Sequence, residues 1–150
     1  RRAYLIDRVL VGDQPAVFGG PKKSLKTSLV VDMAVSLATG TPFLGTFAVP
    51  RPLRVAVLSG ESGEATLQET ARRVCAARGL RLPEADVLWL PRLPRLSSAA
   101  QRRELARGLR ADGVEFVVLD PLYLCLLAGG SGASAANRAS TRARRGAVRR

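Results

Sequence analysis

Apolar and polar positions alternate in blocks along the chain, and the period of each block predicts its secondary structure. Continuous apolar runs bounded by glycine, proline or polar residues predict short strands at residues 14–18, 53–59, 86–90 and 115–120. Apolar positions at helical spacing predict helices at residues 26–38, 64–78 and about 98–110. Strands that alternate with single helices over short connections form right-handed crossovers. The pattern therefore predicts an α/β fold, a three-layer sandwich with a parallel sheet covered on both faces.

The pattern changes abruptly near the end of the sequence. Residues 129–136 are rich in Gly, Ser and Ala, a composition typical of flexible linkers, and an Arg-rich stretch without apolar periodicity follows them. A chain of 150 residues with 47% hydrophobic content is long enough for one domain with a substantial core. We therefore predict one domain over residues 1–128 and a disordered tail over residues 129–150.

The charge balance indicates what kind of partner the chain favours. Its 24 basic and 12 acidic residues give a net charge of +12. The tail has no acidic residue and contains Arg138, Arg142, Arg144, Arg145, Arg149 and Arg150. Such a distribution favours polyanionic partners, nucleic acid first, but a solvated surface of biased composition produces it too. Both interpretations remain open at this point.

Composition excludes several classes of chemistry. The chain has no histidine, which excludes His-dependent triads, and its isolated cysteines, Cys75 and Cys125, do not form a zinc-binding pattern. Two separate thiols fit core positions in a reducing compartment. No apolar run approaches the roughly 20 residues that span a bilayer, and no N-terminal targeting signal is recognisable. The sequence predicts a cytoplasmic protein without a membrane segment.

Candidate chemistry begins in the loop between the first predicted strand and the first predicted helix. The loop follows the pattern G-x-x-x-x-G-K-[ST], whose backbone N–H groups surround phosphates while its lysine adds charge and its hydroxyl ligates Mg²⁺. Leu25 replaces the second glycine, where a side chain would crowd the phosphates or restrict φ. A solvated basic turn before a helix would contain the same lysines. The predicted ATP-binding residues are Gly19, Gly20, Pro21, Lys22, Lys23, Ser24, Leu25, Lys26, Thr27 and Ser28.

Two carboxylates follow predicted strands and are expected near this loop, because the carboxyl ends of parallel strands share one sheet edge. Asp120 is expected to hold Mg²⁺ together with Thr27. The predicted catalytic residues are Glu61, which would polarise the attacking water, and Lys26, which would neutralise phosphate charge. Blander alternatives are turn chemistry before a proline for Asp120, and stabilisation of a helix N-terminus by Glu61 and Glu64.

With these motifs the chain resembles the RecA-like AAA-family ATPases of the RepA replicative-helicase type. The resemblance covers about residues 14–127 and rests on the combination of the phosphate loop with the sequences at residues 38–45, 57–64 and 118–122. It implies a RecA-like P-loop core that binds and hydrolyses ATP with Mg²⁺. In it, Lys26 and Thr27 form the Walker A pair, Glu61 is the catalytic glutamate and Asp120 is the Walker B aspartate. It also implies a homo-hexameric ring with single-stranded DNA as its partner.

The resemblance also implies more strands than the sequence predicts. Members of this family continue beyond the Walker B strand, insert one strand between the two Walker strands and carry an arginine finger. No strand is predicted after Leu127. We therefore expect a core that is incomplete at its C-terminal end, with the two Walker strands either paired directly or loosely held. The leading hypothesis is an ATPase that drives DNA unwinding or translocation in replication, and the alternative is a catalytically inactive nucleotide- or nucleic-acid-binding module.

Overall fold

A computed structural model describes residues 3–21, 23–81 and 85–127. The predicted tail at residues 129–150 and the loop residue Lys22 lie outside these ranges. In chain order the described elements are β1 Tyr4–Ile6, β2 Leu10–Val11, α1 Lys26–Thr39, β3 Val55–Ser59, α2 Glu64–Ala77, β4 Val87–Leu90, α3 Ala99–Ala111, β5 Phe116–Asp120 and α4 Leu122–Leu127.

The central sheet is parallel, as the alternation of strands and helices predicted. Its order is β4-β3-β5, and the register aligns Val57 with Trp89 on one side and Val118 on the other. All five residues of β3 are buried, which is what an uninterrupted apolar run predicts for a strand with neighbours on both edges. The α/β class expected for a RecA-like P-loop core is confirmed.

The strands that each helix connects indicate which face of the sheet the helix covers. α1 and α2 pack against each other through buried residues such as Val35 and Leu67, and α1 also packs on Val55 and Val57 of β3. α2 leads from β3 to β4, whereas α3 leads from β4 back across β3 to β5. The right-handed rule for such crossovers places α3 on the face opposite α2. Helices thus flank both faces of the sheet, although no residue of α3 is fully buried.

An antiparallel hairpin of β1 and β2 precedes the sheet and was not predicted. Its strands contain three and two residues, too short for an alternating pattern to be recognised. Ile6 and Leu10 nevertheless belong to the main hydrophobic cluster, together with Leu37 of α1 and Val55 of β3. The hairpin therefore extends the core beside α1.

The predicted strand at residues 14–18 is wrong. This segment forms no strand, and Val17 and Phe18 are 83% and 51% exposed. A strand is stabilised by pairing, and within the described residues β5 pairs only with β3, so the segment has no neighbour. The direct pairing of the two Walker strands, one of the two arrangements expected from the sequence, does not occur in these residues.

The predicted helices and remaining strands are confirmed with bounds that differ by one or two residues. Gly40 and Gly79 follow α1 and α2 with φ of 71° and 68°, left-handed values that end a helix at low cost for glycine. Ser98 precedes α3 and its hydroxyl accepts a hydrogen bond from the Gln101 backbone N–H. Cys75 and Cys125 are buried thiols, as their apolar surroundings predicted. Among the helices of the described ranges, none has the length and apolarity to span a bilayer.

Candidate functional site

The loop that precedes α1 closes around the side chain of Lys26. Its Nζ donates to the carbonyl oxygens of Gly20 (2.9 Å) and Pro21 (2.5 Å) and to Ser24 Oγ (3.3 Å). An ammonium group has three donors, and neutral loop oxygens satisfy all three. The positive charge is thus held at the centre of the loop. When a phosphate binds this ammonium, one of the neutral oxygens is replaced by a charged phosphate oxygen, which accepts a stronger hydrogen bond.

Two of the described residues of the loop have a left-handed backbone. Lys23 has φ 60° and Leu25 has φ 59°, and Leu25 stands directly before α1 without a side-chain capping bond. For residues other than glycine this conformation costs about 1–2 kcal/mol each. The Leu25 side chain is 72% exposed, so it points away from the loop interior. Leu25 therefore adopts a left-handed backbone that glycine would accommodate without strain, with its side chain on the outside of the loop.

A close contact explains why glycine occupies position 20. A Cβ added to Gly20 would lie 2.9 Å from Ser24 Oγ, the atom that donates to the Pro21 carbonyl at 2.7 Å. A side chain at position 20 would displace Ser24 and loosen its contacts with the loop. Gly19 has no such constraint, since an added Cβ would meet no atom within 4 Å. Ser28 is exposed in the first turn of α1.

Thr27 and Asp120 meet although they are 93 residues apart. Thr27 Oγ1 donates to Asp120 Oδ2 at 3.1 Å, joining the first turn of α1 to the carboxyl end of β5. Octahedral Mg²⁺ with oxygens at 2.0–2.1 Å places neighbouring ligands about 3 Å apart, so this hydroxyl and carboxylate fit two of its positions. The described residues contain no group of three or more carboxylate, Cys or His ligands. Mg²⁺ at this pair would take its other ligands from phosphate and water.

Glu61 lies in the loop between β3 and α2, beside Asp120. The Gly60 N–H donates to the Asp120 carbonyl at 3.0 Å, and Ser59 is the register partner of Asp120 in the sheet. The exposed Glu61 carboxylate accepts a hydrogen bond from the Tyr123 hydroxyl. This hydrogen bond raises the pKa of Tyr123, and partial desolvation and the Glu61 charge act in the same direction. The phenol therefore remains a donor, and it holds one carboxylate oxygen while the other can accept from water.

Two contributors to this arrangement were not indicated by any sequence pattern. Tyr123 lies in the apolar stretch that forms α4, and its partner Glu61 is 62 residues away. Ser59 is a buried hydroxyl at the end of β3 whose Oγ accepts from the Ser62 N–H at 3.4 Å. Glu64 is the first residue of α2 and accepts from Gln68 at 3.0 Å, so it has a place within the helix, apart from Glu61.

Comparison with known proteins adds one finding. A family model described as an AAA domain matches residues 1–149. The match includes the loop around Lys26, both carboxylates and every strand of the parallel sheet. No curated protein and no solved structure matches the chain.

Proposed function

The chain belongs to the AAA domain family, and from this premise we propose that it binds ATP with Mg²⁺ at the loop around Lys26 and hydrolyses it. Nucleotide binding of the ATPase type is what the family indicates. The observation that carries the proposal is the contact between Thr27 Oγ1 and Asp120 Oδ2. It joins a hydroxyl from the phosphate loop to a carboxylate at the sheet edge. These are the two protein groups that hold Mg²⁺ in P-loop nucleotide sites.

Each polar group of the site has a role in this proposal. The loop at residues 19–28 surrounds the phosphates with backbone N–H groups, and Lys26 neutralises their charge. Thr27 and Asp120 hold the metal ion, which supplies charge neutralisation at the phosphates when it is bound. Glu61 accepts a proton from the attacking water through the oxygen that Tyr123 leaves free.

The wider role follows the resemblance to RepA-type helicases. We propose that the ATPase forms a homo-hexameric ring and drives unwinding or translocation of single-stranded DNA in replication. Support for this step comes from the sequence motifs and from the basic charge of the chain. Stimulation of ATP hydrolysis by oligo-dT, together with the mass of the assembly in solution, tests it. A protein that remains monomeric and hydrolyses ATP equally with and without DNA contradicts it.

Nucleotide binding is tested first, with a fluorescent ATP analogue and Mg²⁺. Lys26→Ala removes the ammonium at the centre of the loop, and a hydrogen bond to a charged group contributes about 1.5–3 kcal/mol. We expect the affinity to fall about 10- to 100-fold. Arg72→Ala, which removes an exposed charge from α2, is the control and should leave the affinity unchanged. Equal affinities in wild type and Lys26→Ala would remove the loop from the proposal.

Hydrolysis is tested with Glu61→Gln, which removes the proton acceptor and keeps the shape of the side chain. We expect turnover to be lost while the analogue still binds. The alternative function is an inactive nucleotide- or nucleic-acid-binding module, favoured by the left-handed Leu25 and by the loop oxygens that already satisfy Lys26. Under that alternative the wild type binds nucleotide without hydrolysing it, and Glu61→Gln changes neither the binding nor the absence of turnover.

A further inference from the structure

Helix α3 presents an open groove lined by arginines on its outer side. The groove has a volume of about 530 Å³ and is lined by Ala99, Arg102, Arg103, Ala106, Arg107 and Arg110. Leu105 and Leu109 lie on the side of the helix that faces away from Arg103 and Arg107, and both are half-buried. The helix is thus amphipathic, but no residue in it is fully buried. We call Arg103, Arg107 and Arg110, spaced i, i+4 and i+7, the arginine face.

The arginine face has no neutralising partner among the residues that the structure describes. Glu104 is the single carboxylate of α3, and no ion pair involves it or the arginine face there. Asp112, which follows the helix, forms none within the same ranges. Arg102 differs from the other three, because its guanidinium donates to the Leu96 carbonyl.

Helix α2 shows how a merely solvated face is arranged in the same molecule. Its exposed arginines, Arg72 and Arg73, both pair with Glu69, at 3.7 Å and 2.9 Å. The members of the arginine face are instead neighbours of one another at spacings of four and three residues, and like charges so placed destabilise a helix. An anionic partner relieves this repulsion, whereas water and salt only screen it.

The composition of the face indicates which anion fits. Besides the arginines the groove is lined only by alanines, so the face lacks the large apolar side chains with which amphipathic helices enter membranes. Protein interfaces also need an apolar or aromatic centre, and this face has none. Guanidinium groups bind phosphate oxygens bidentately without any apolar contact.

The spacing fits a row of phosphates. Arg103 and Arg110 are separated by seven residues, or about 10 Å of helix. One strand of a duplex carries about one phosphate per 3.4 Å of axis, which gives about three charges over that length. We propose that the arginine face of α3 binds the phosphate backbone of a nucleic acid strand. This inference rests on the proposed function only in taking a nucleic acid as the partner. It places that nucleic acid on a surface separate from the ATP site.

Fluorescence anisotropy of labelled oligo-dT, measured with the full chain over a range of salt concentrations and without nucleotide, tests the proposal. We compare Arg103→Gln/Arg107→Gln with Arg72→Gln/Arg73→Gln, since each pair removes two positive charges from the exposed side of a helix. The slope of log K against log salt is negative, and each phosphate of a single strand that the protein no longer neutralises reduces its magnitude by about 0.7. We expect the α3 pair to reduce this magnitude by about 1.4, and the α2 pair to leave it unchanged. The basic tail is the same in both variants.

Several outcomes overturn the proposal. One is an unchanged slope in the α3 pair, and another is an equal decrease in the α2 pair, which would assign binding to net charge alone. In a third outcome, the α3 pair loses the binding to phosphatidylserine vesicles that the wild type shows but still binds DNA. That result would assign the arginine face to a membrane surface. Arg103→Lys/Arg107→Lys keeps the charges and should keep the slope, which separates charge from misfolding. Binding of the ATP analogue, unchanged in the α3 pair, keeps failure here distinct from failure of the ATPase proposal.

Discussion

Leu25 is held in a backbone conformation that costs a leucine about 1–2 kcal/mol, next to the lysine that defines the loop. Its exposed side chain recovers little of this cost by burial. This left-handed residue directly precedes Lys26, whose side chain folds back onto the carbonyls of Gly20 and Pro21. At this residue the shape of the loop prevails over the preference of the side chain.

Replacement of Leu25 by glycine should therefore stabilise the protein. The strain of the left-handed conformation disappears, while the greater freedom of glycine in the unfolded chain offsets about 0.5–1 kcal/mol of the gain. We expect the free energy of unfolding to rise by up to about 1 kcal/mol in urea denaturation. Leu25→Val is the control, because a β-branched residue tolerates this conformation less well and should lower the value. A loss of stability in Leu25→Gly would contradict the assigned backbone.

The Tyr123 hydroxyl should report the charge of Glu61. The pKa of Tyr123 is raised above the usual value of about 10, chiefly by its hydrogen bond to Glu61. Because the folded-state pKa is raised, the contribution to stability is fully present below about pH 10 and is lost as the pH rises through the folded pKa. Glu61→Gln should move the pKa of Tyr123 back towards its usual value.

The measurement is tyrosinate absorbance in a Tyr4→Phe background, where Tyr123 is the remaining tyrosine. Glu64→Gln is the matched control, since Glu64 lies in α2 and bonds to Gln68. The same titration midpoint in Tyr4→Phe alone and in its combinations with Glu61→Gln and Glu64→Gln would mean that Tyr123 does not contact Glu61 in solution.

Between elements, Arg78 joins α1, α2 and the loop after α1. Its guanidinium pairs with Asp32 of α1 and donates to Ser36 Oγ at 2.7 Å and Thr41 Oγ1 at 3.1 Å. Asp32 also accepts from the Leu44 N–H at 3.1 Å. Both charged side chains are only 16% exposed, so this ion pair is screened far less than those at the surface.

Removal of one partner of this pair leaves the other charge poorly solvated. Asp32→Ala should lower the free energy of unfolding by about 2–3 kcal/mol, somewhat below the range for a fully buried pair. Glu115→Ala breaks the exposed ion pair with Arg51 and should cost far less. Denaturant unfolding of both variants gives the comparison. Equal losses of unfolding free energy in the two variants would show that water or other polar groups solvate Arg78 when Asp32 is absent.

Elements with a clear period were predictable, and elements that depend on a neighbour were not. α1, α2 and α3 follow apolar spacing and glycine or serine signals that lie within or next to each helix. The segment at residues 14–18 has strand-forming residues but no strand partner in the part of the chain that the structure describes, and its own sequence does not reveal this. The β1–β2 hairpin is the converse, since two very short strands persist because Ile6 and Leu10 pack into the core.

The same distinction applies to the candidate site. The meeting of Thr27 and Asp120 could be expected, because a motif places one at the start of a helix and a strand places the other at the shared sheet edge. The contacts of Tyr123 with Glu61 and of Arg78 with Asp32 could not, because each joins side chains that no local pattern relates. Sequence periodicity locates backbone elements, whereas such contacts depend on how those elements pack.

At the scale of the whole molecule, the two faces of the sheet are covered unequally. α1 contributes six buried residues and α2 contributes three, and they pack on the same face. On the other face α3 contributes none, and Val117 of the edge strand β5 is exposed. Burial of apolar surface is the main stabilising term in folding, so the free energy of local opening should differ between the faces.

Amide hydrogen exchange should reveal this asymmetry as a ranking. The slowest amides should lie in β3, where five buried residues have strands on both sides, followed by those in the buried half of α1. The amides of α3 should exchange fastest among the three long helices, because α3 opens without exposing a buried side chain. Exchange resolved by residue at neutral pH measures the order. Equal protection of α3 and α1 would show that the unequal burial on the two faces does not determine how the helices open.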